Sequence, residues 1–139
     1  MTGGTRSFEL ARRLVKRGHH VDLITSTRDA SGGGWKVTEE SGIRVHWLPV
    51  AYDNSMGFYR RMRAFLRFAW GAARRATSLD ADVVFATSTP LTIALPAAHA
   101  AKRLKVPMVF EIRDLWPDVP IALGALKNPI LVAAAKWLE

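Results

Sequence analysis

No cysteine occurs among the 139 residues, so neither a disulfide framework nor a thiolate metal centre can form, a composition that fits a reducing compartment. The amino end, Met-Thr-Gly-Gly-Thr-Arg, has no apolar core of the kind a signal peptide needs. The longest apolar region, near Leu91 to Ala101, is broken by Thr92, Pro96 and His99, whereas a membrane-spanning helix needs about 20 such residues. Acidic side chains are scarce: 12 Asp and Glu stand against 20 Lys and Arg, a formal net charge of +8. That surplus points to anionic partners, whether nucleic acid, phosphorylated ligands or an acidic membrane surface, without choosing among them. Internal repeats and low-complexity tracts are also missing.

What the chain does have is apolar content, 49% of its residues, enough for the buried core of one domain. From Ser7, Leu10, Ala11, Leu14 and Val15 recur at helical spacing, with Glu9 early, basic residues late and Gly18 placed as a stop. Val21 to Thr25 then reads as a short buried strand. Ser26 to Gly42, polar and carrying Gly32, Gly33 and Gly34, is expected to be a mobile loop. Ile43 to Val50 is a second strand. Phe58 to Ser78 is a helix with Phe58, Met62, Phe65, Leu66, Ala69 and Ala73 on one face and Arg60, Arg63, Arg67 and Arg74 on another. Asp82 to Thr87 forms a third strand, and Ser88-Thr89-Pro90 offers a capping hydroxyl followed by proline at a first helical position. The helix that follows buries Ile93, Ala97, Ala100, Ala101 and Leu104, with Pro96 expected to bend it. Pro107 to Ile112 is the fourth strand, Leu115 to Asn128 a proline-punctuated loop, and Pro129 to Glu139 an apolar helix.

Strands alternating with helices specify an α/β fold: a Rossmann-like, doubly wound parallel sheet with helices on both faces. A glycine-rich turn entering the first helix normally follows a central strand, yet only Met1 and Thr2 precede Gly3-Gly4. The expectation is that this first strand is missing and that the last helix is unfinished.

Ligands of open α/β sheets bind outside the carboxyl ends of strands, which nominates Gly3 to Arg6, Ser26, Thr87 to Pro90 and Glu111 to Asp114. Gly3 and Gly4 can bring backbone N–H groups to a phosphate at the start of the first helix, with Arg6 adding charge; the competing reading is a simple tight turn. Ser88, with Thr87 and Thr89 beside it, suits a hydroxylated ligand, but helix capping before Pro90 is the better reading of its hydroxyl. Arg113-Asp114 after an apolar run is either a structural ion pair or a polar ligand site, and Glu111 is either a second carboxylate of that crevice or a partner for an arginine. Trp116 could stack on a sugar or contact a lipid, but burial under its own loop is the commoner role for such an aromatic. No G-x-S-x-G elbow surrounds Ser88, so Ser88, His99 and Asp114 do not make a hydrolase triad. His19 and His20 are adjacent, and His46 and His99 lack paired ligand spacing, so no metal site is expected. The arginine-rich helix has three readings: a solvated face, a nucleic-acid patch, or a membrane-surface anchor built from Arg60, Arg63, Arg67 and Trp70.

Longer matches add to these positions. Gly-Gly-Thr-Arg-Ser-Phe-Glu-Leu-Ala-Arg-Arg-Leu, Arg-Gly-His-His-Val-Asp-Leu-Ile-Thr, Gly-Ile-Arg-Val-His, Asp-Val-Val-Phe-Ala-Thr-Ser and Val-Pro-Met-Val-Phe-Glu-Ile-Arg-Asp-Leu-Trp-Pro together resemble the N-terminal domain of family 4 glycosyltransferases of the GT-B fold. The resemblance covers nearly the whole chain. Ala-Thr-Ser-Thr-Pro-Leu-Thr and Glu-Ile-Arg-Asp-Leu-Trp-Pro are most similar to transferases of bacterial capsule and O-antigen assembly, including fucosamine transferases.

The resemblance implies a two-domain enzyme that moves a sugar from a nucleotide-diphosphate donor to a saccharide acceptor with retention of anomeric configuration, using no metal or other cofactor. Residues 1–139 are then the acceptor-side half. The second, nucleotide-sugar-binding domain lies outside the chain, which on its own is expected to be inactive. By position, Gly3 and Gly4 match the loop near the donor diphosphate. Arg113-Asp114 stands where many relatives have His-Asp, so that histidine's role does not carry over, while Asp114, with Glu111, stays a catalytic candidate. A lipid-linked acceptor and a cytoplasmic location on the inner membrane face complete the expectation, with nucleic acid disfavoured as a partner. Two alternatives stay open: a basic nucleic-acid-binding domain, which would lose affinity steeply with salt, and another nucleotide-sugar enzyme such as an epimerase, which would carry a three-glycine fingerprint after a first strand. Donor, acceptor and oligomeric state are not specified by the sequence.

Overall fold

A computed structural model describes residues 6–27, 33–51, 56–88, 91–113, 129 and 133. They fall in two compact units, Met1–Ser78 and Leu79–Glu139. The first holds α1 (Arg6–Lys16), β1 (Asp22–Thr27), β2 (Lys36–Glu40), β3 (Ile43–Pro49) and α2 (Phe58–Ala76). The second holds β4 (Val84–Thr87), a 3₁₀ turn (Leu91–Ile93), α3 (Ala94–Leu104) and β5 (Met108–Glu111).

In the first unit α1 forms where the periodicity predicts, and its last turn closes by Gly18 and His19 N–H groups donating to the carbonyls of Val15 and Leu14. The chain then enters β1, which pairs in parallel with β3; β2 pairs antiparallel on the other side of β3, giving the order β1-β3-β2. Because side chains alternate along a strand, β3 presents two faces. Ile43 and Val45 pack with Ala11 of α1 and with Phe8, Val15, Val21, Leu23 and Trp47. Leu48 and Val50 pack with Ala64 of α2 and with Trp35 and Phe68. The central strand is therefore covered on both faces by helices, as a doubly wound sheet requires.

Within the stretch read from sequence as a loop, Ser26 to Gly42, the structure contains part of β1 and all of β2. Lys36–Glu40 carries charge at three of its five positions and escapes a hydropathy reading, yet it forms an edge strand whose Thr38 hydroxyl accepts a 2.8 Å hydrogen bond from the Trp47 indole. Ser41 (φ 55°) and Gly42 (φ 77°) make the tight reversal into β3, both in the left-handed region that two-residue hairpins use. A side chain at Gly42 would also press on Val15, 2.9 Å from its Cγ1.

Helix α2 differs from expectation in its phase. Of the apolar face expected from sequence, Ala73 is buried and Phe65 and Ala69 are half-buried, but Met62 and Leu66 are exposed; Ala64 and Phe68 pack against Leu48 and Val50 of the β3 segment, and Ala72 is also buried. At Gly71 a Cβ would lie 2.6 Å from Leu48 Cδ2. Close approach of helix to strand selects small side chains and turns the large ones outward. The side chain of Phe58 lies outside the described residues.

That same face carries a chain of polar contacts centred on a buried histidine. Asp22 and Arg44 are register partners on β1 and β3, and the Arg44 guanidinium meets the Asp22 carboxylate with both Nε and Nη2, the latter at 2.9 Å. His46, only 1% exposed, has its Nε2 2.6 Å from Asp22 Oδ1, while its Nδ1 accepts from Arg75 Nε at 3.0 Å. Arginine can only donate, so Nδ1 is the acceptor nitrogen and Nε2 carries the proton that goes to Asp22. Arg75 in turn lies 5.9 Å from the centroid of the Trp35 ring.

In the second unit, β4 and β5 pair in parallel, joined through the 3₁₀ turn and α3. The buried residues of α3 are Pro96, Ala97, Ala100 and Ala101. Pro96 falls in the first turn, where its missing N–H would have no intrahelical acceptor, so the bend expected there has no cause. Lys105 ends α3 in the left-handed conformation. The helix expected over 129–139 lies outside the described residues except at Pro129 and Ala133, both helical.

Two outcomes test these contacts. The Arg44 guanidinium, followed by the His46 bond, holds the Asp22 carboxyl below its ordinary range against the opposing effect of burial. Its contribution is thus complete above the unfolded value, about pH 4, and is lost as pH falls through the folded one. Asp22→Ala should cost roughly 2–3 kcal/mol at neutral pH and Asp22→Asn, which keeps an acceptor for His46, roughly half that. Urea denaturation at stepped pH should show a flatter acid limb in both variants than in the wild type. Gly71→Val should lower stability by roughly 1–3 kcal/mol through overpacking against Leu48, and Gly71→Ala less, since alanine regains about 1 kcal/mol of helix propensity. An Ala variant less stable than the Val variant would contradict the steric account.

Candidate functional site

The parallel pair β4–β5 opens its carboxyl edge with Thr87 opposite Glu111. The ladder runs one residue further, where Ser88 N–H donates to the Glu111 carbonyl at 2.8 Å. The Ser88 hydroxyl then accepts from the backbone N–H of Arg113, also at 2.8 Å. Ser88 is buried, so this second bond is shielded from water and fastens the segment leaving β5 to the end of β4. The Arg113 side chain is exposed beyond that clamp.

Ser88 was expected to cap the following helix. Instead its hydroxyl serves Arg113, and α3 begins later, after the 3₁₀ turn, with Ile93 at its N-cap and no side-chain capping bond. The strand does not pass straight into an α-helix, and a hydroxyl five residues upstream of Ile93 is left for another use. Thr89 and Pro90 lie outside the described residues.

Thr87 and Glu111, as register partners, share one face of the sheet, along with Phe85 and Val109 two residues earlier. The Thr87 hydroxyl is buried and has no hydrogen-bond partner among the described residues. Buried hydroxyls are nearly always bonded, and one left open at the ligand edge of an α/β sheet can donate to or accept from a bound group. Glu111 is its register partner, and Arg113, tied by its backbone to Ser88, follows at the same strand end. Such a set matches a hydroxylated or anionic ligand.

The structure thus brings together Thr87, Ser88, Glu111 and Arg113. Arg6 opens α1 and Ser26 lies near the end of β1, both in the first unit. The short reversal from α1 into β1 returns the chain alongside the helix, so the helix start and the strand's carboxyl end fall at one edge of that unit. Gly3, Gly4, Asp114 and Trp116 lie outside the described residues, and with them the expected glycine loop and the Arg113-Asp114 pairing. Arg60, Arg63, Arg67 and Trp70 are all exposed on α2. Among the described residues no group of three or more His, Asp or Glu could hold a metal ion.

Sequence reasoning found the strand ends but not the clamp between them. Ser88 and Arg113 are 25 residues apart, and only the parallel register makes them neighbours. The signal available was the coincidence of polar residues at the ends of two consecutive apolar strands.

No curated protein and no solved structure matches the chain. A family model described as "Glycosyl transferase 4-like domain" matches residues 2–138. That span contains every strand and helix described above and both sheet edges. The chain belongs to the glycosyl transferase 4-like domain family.

Proposed function

We propose that this chain is the acceptor-side domain of a GT-B glycosyltransferase, working with a second domain that binds the nucleotide of the donor. The family match over residues 2–138 carries this reading, and the open hydroxyl of Thr87 at the carboxyl edge supports it. The reaction is transfer of a sugar from a nucleoside diphosphate to a hydroxyl of a lipid-linked saccharide, with retention of configuration, in the building of a cell-surface polysaccharide. A capsule or O-antigen acetamidosugar such as fucosamine fits the resemblance of residues 86–92 and 111–117.

In this reading the acceptor oxygen bonds to the anomeric carbon as the bond from that carbon to the diphosphate breaks, and the hydroxyl proton leaves with the diphosphate. Thr87 bonds a saccharide hydroxyl and orients it, so that the attack begins from a fixed geometry. Arg113 supplies charge where negative charge grows on the leaving group. Ser88 positions Arg113 through the backbone. By the family resemblance, Gly3, Gly4 and Arg6 of the first unit are candidates for contact with a phosphate of the donor. Asp114 and Glu111 are the candidates for contact with the reacting groups, and Trp116 for stacking on a sugar ring. No cofactor is required; the nucleotide sugar is a substrate.

The test is release of nucleoside diphosphate by the intact gene product from a panel of uridine, guanosine and thymidine diphosphate sugars, with a membrane lipid extract as acceptor. Thr87→Val should lower kcat/KM by roughly ten- to a hundredfold, as expected for one lost hydrogen bond to substrate, with little change in thermal stability. Arg113→Ala should act mainly on kcat, and Ser88→Ala should reproduce part of that loss. Release unaffected by Thr87→Val and Arg113→Ala, or absent with every donor, would remove the basis for the assignment.

A further inference from the structure

Helix α2 faces away from β3 with a strip of large apolar residues. Tyr59 is 87% exposed, Met62 43%, Leu66 59% and Trp70 70%. Their spacing of three, four and four residues places them on one side of the helix, opposite the small residues that approach Leu48. A soluble helix normally hides such a strip and exposes its charges; here Phe68 packs inward with Ala64, while Tyr59, Met62, Leu66 and Trp70 are outside.

The charge around the strip is all of one sign. The helix holds six arginines, Arg60, Arg61, Arg63, Arg67, Arg74 and Arg75, and no acidic residue over its nineteen positions. Arg75 is turned inward to His46. The other five have no acidic partner among the described residues, and Arg63, Arg67 and Arg74 form a row directly beside the apolar strip. No helix of the described residues is long and apolar enough to cross a membrane.

We propose that this face of α2 docks on an anionic lipid bilayer. The helix lies in the plane of the surface, with Met62, Leu66 and Trp70 entering the headgroup layer and the arginine row paired with lipid phosphates. A bilayer answers both halves of the face at once, because its phosphates form a continuous sheet directly above hydrocarbon. Nucleic acid would satisfy the arginines and leave Met62 and Leu66 in water. Tyr59 and Trp70, each with an apolar ring and one polar atom, are the residue types that settle at the boundary between headgroup and acyl chain. The proposal does not depend on the sugar-transfer reading.

Since the chain has no cysteine, Leu66→Cys gives a single attachment point for an environment-sensitive fluorophore on the strip, and Ala98→Cys gives one on the exposed side of α3. The full chain is mixed with vesicles of phosphatidylcholine alone or of equimolar phosphatidylcholine and phosphatidylglycerol. The expected result is flotation with the anionic vesicles only, weakened by salt, with emission from position 66 shifting to the blue and that from position 98 unchanged. Arg63→Gln with Arg67→Gln should weaken binding roughly thirtyfold, about fivefold for each charge lost. Leu66→Ser with Trp70→Ser should weaken it by at least about tenfold. All four side chains are exposed, so these variants should keep the circular dichroism of the parent.

Equal binding to neutral and anionic vesicles would overturn the proposal. So would anionic binding indifferent to the Leu66 and Trp70 substitutions, which would mean charge attraction alone. A shift at position 66 produced by duplex DNA or an acidic protein, with none from vesicles, would assign the face to that partner instead. Thr87→Val should leave vesicle binding unchanged, so failure of the transfer assay and failure of docking are separately visible.

Discussion

The first unit depends on where a single buried histidine can find partners. His46 sits in the central strand with essentially no contact with water, and both of its ring nitrogens are engaged. One partner, Asp22, comes from the neighbouring strand; the other, Arg75, comes from the last turns of the helix above. Leaving either nitrogen unpaired at this depth would cost roughly 1–3 kcal/mol, a sizeable share of the stability of a small domain. The bonds can all be made only when β1 is in parallel register with β3 and α2 lies at the right height along the sheet. Apolar packing alone is less demanding, since Leu48 or Phe68 tolerates small shifts that a 2.6 Å hydrogen bond does not. Arg44 completes the arrangement from outside by holding Asp22 ionised.

The second unit reaches a comparable end with fewer parts. Two four-residue strands fix one edge, and beyond it the polar backbone has to be satisfied by something other than a ladder. Ser88 does this twice, donating from its backbone to Glu111 and accepting at its side chain from Arg113. The consequence is chemical as well as structural. The Ser88 hydroxyl already accepts one backbone bond, whereas the hydroxyl of its neighbour Thr87 has no partner among the described residues. The sequence offers these two side by side with no means of telling them apart.

Much of the architecture is legible without coordinates. The positions of α1, β3, α2, β4, α3 and β5 follow from apolar periodicity, and the α/β class follows from their alternation. What escapes has a common cause. β2 is held by the pairing of Lys36–Glu40 with β3 and by the Thr38–Trp47 bond, not by its own hydropathy. The partners of His46 lie 24 and 29 residues away in the chain, and Ser88 finds Arg113 at a distance of 25. Contacts of this kind are set by register, which a local pattern cannot encode. The Ser88 cap was a local reading of a residue whose actual partner is remote.

The phase of α2 shows how a local pattern can also mislead when two surfaces compete for the same helix. A periodic apolar stripe is ordinarily the buried one, and by that rule Met62 and Leu66 belong inside. The helix instead approaches β3 closely at Ala64, Phe68 and Gly71, where an added Cβ would lie 2.6 Å from Leu48. Small residues give helix and strand a short separation, and that separation lets Arg75 reach His46 from above the sheet. The large residues are then left on the far side with the arginines. One choice, close packing against the strand, therefore fixes the buried polar chain on one side of α2 and creates the cationic, apolar surface on the other.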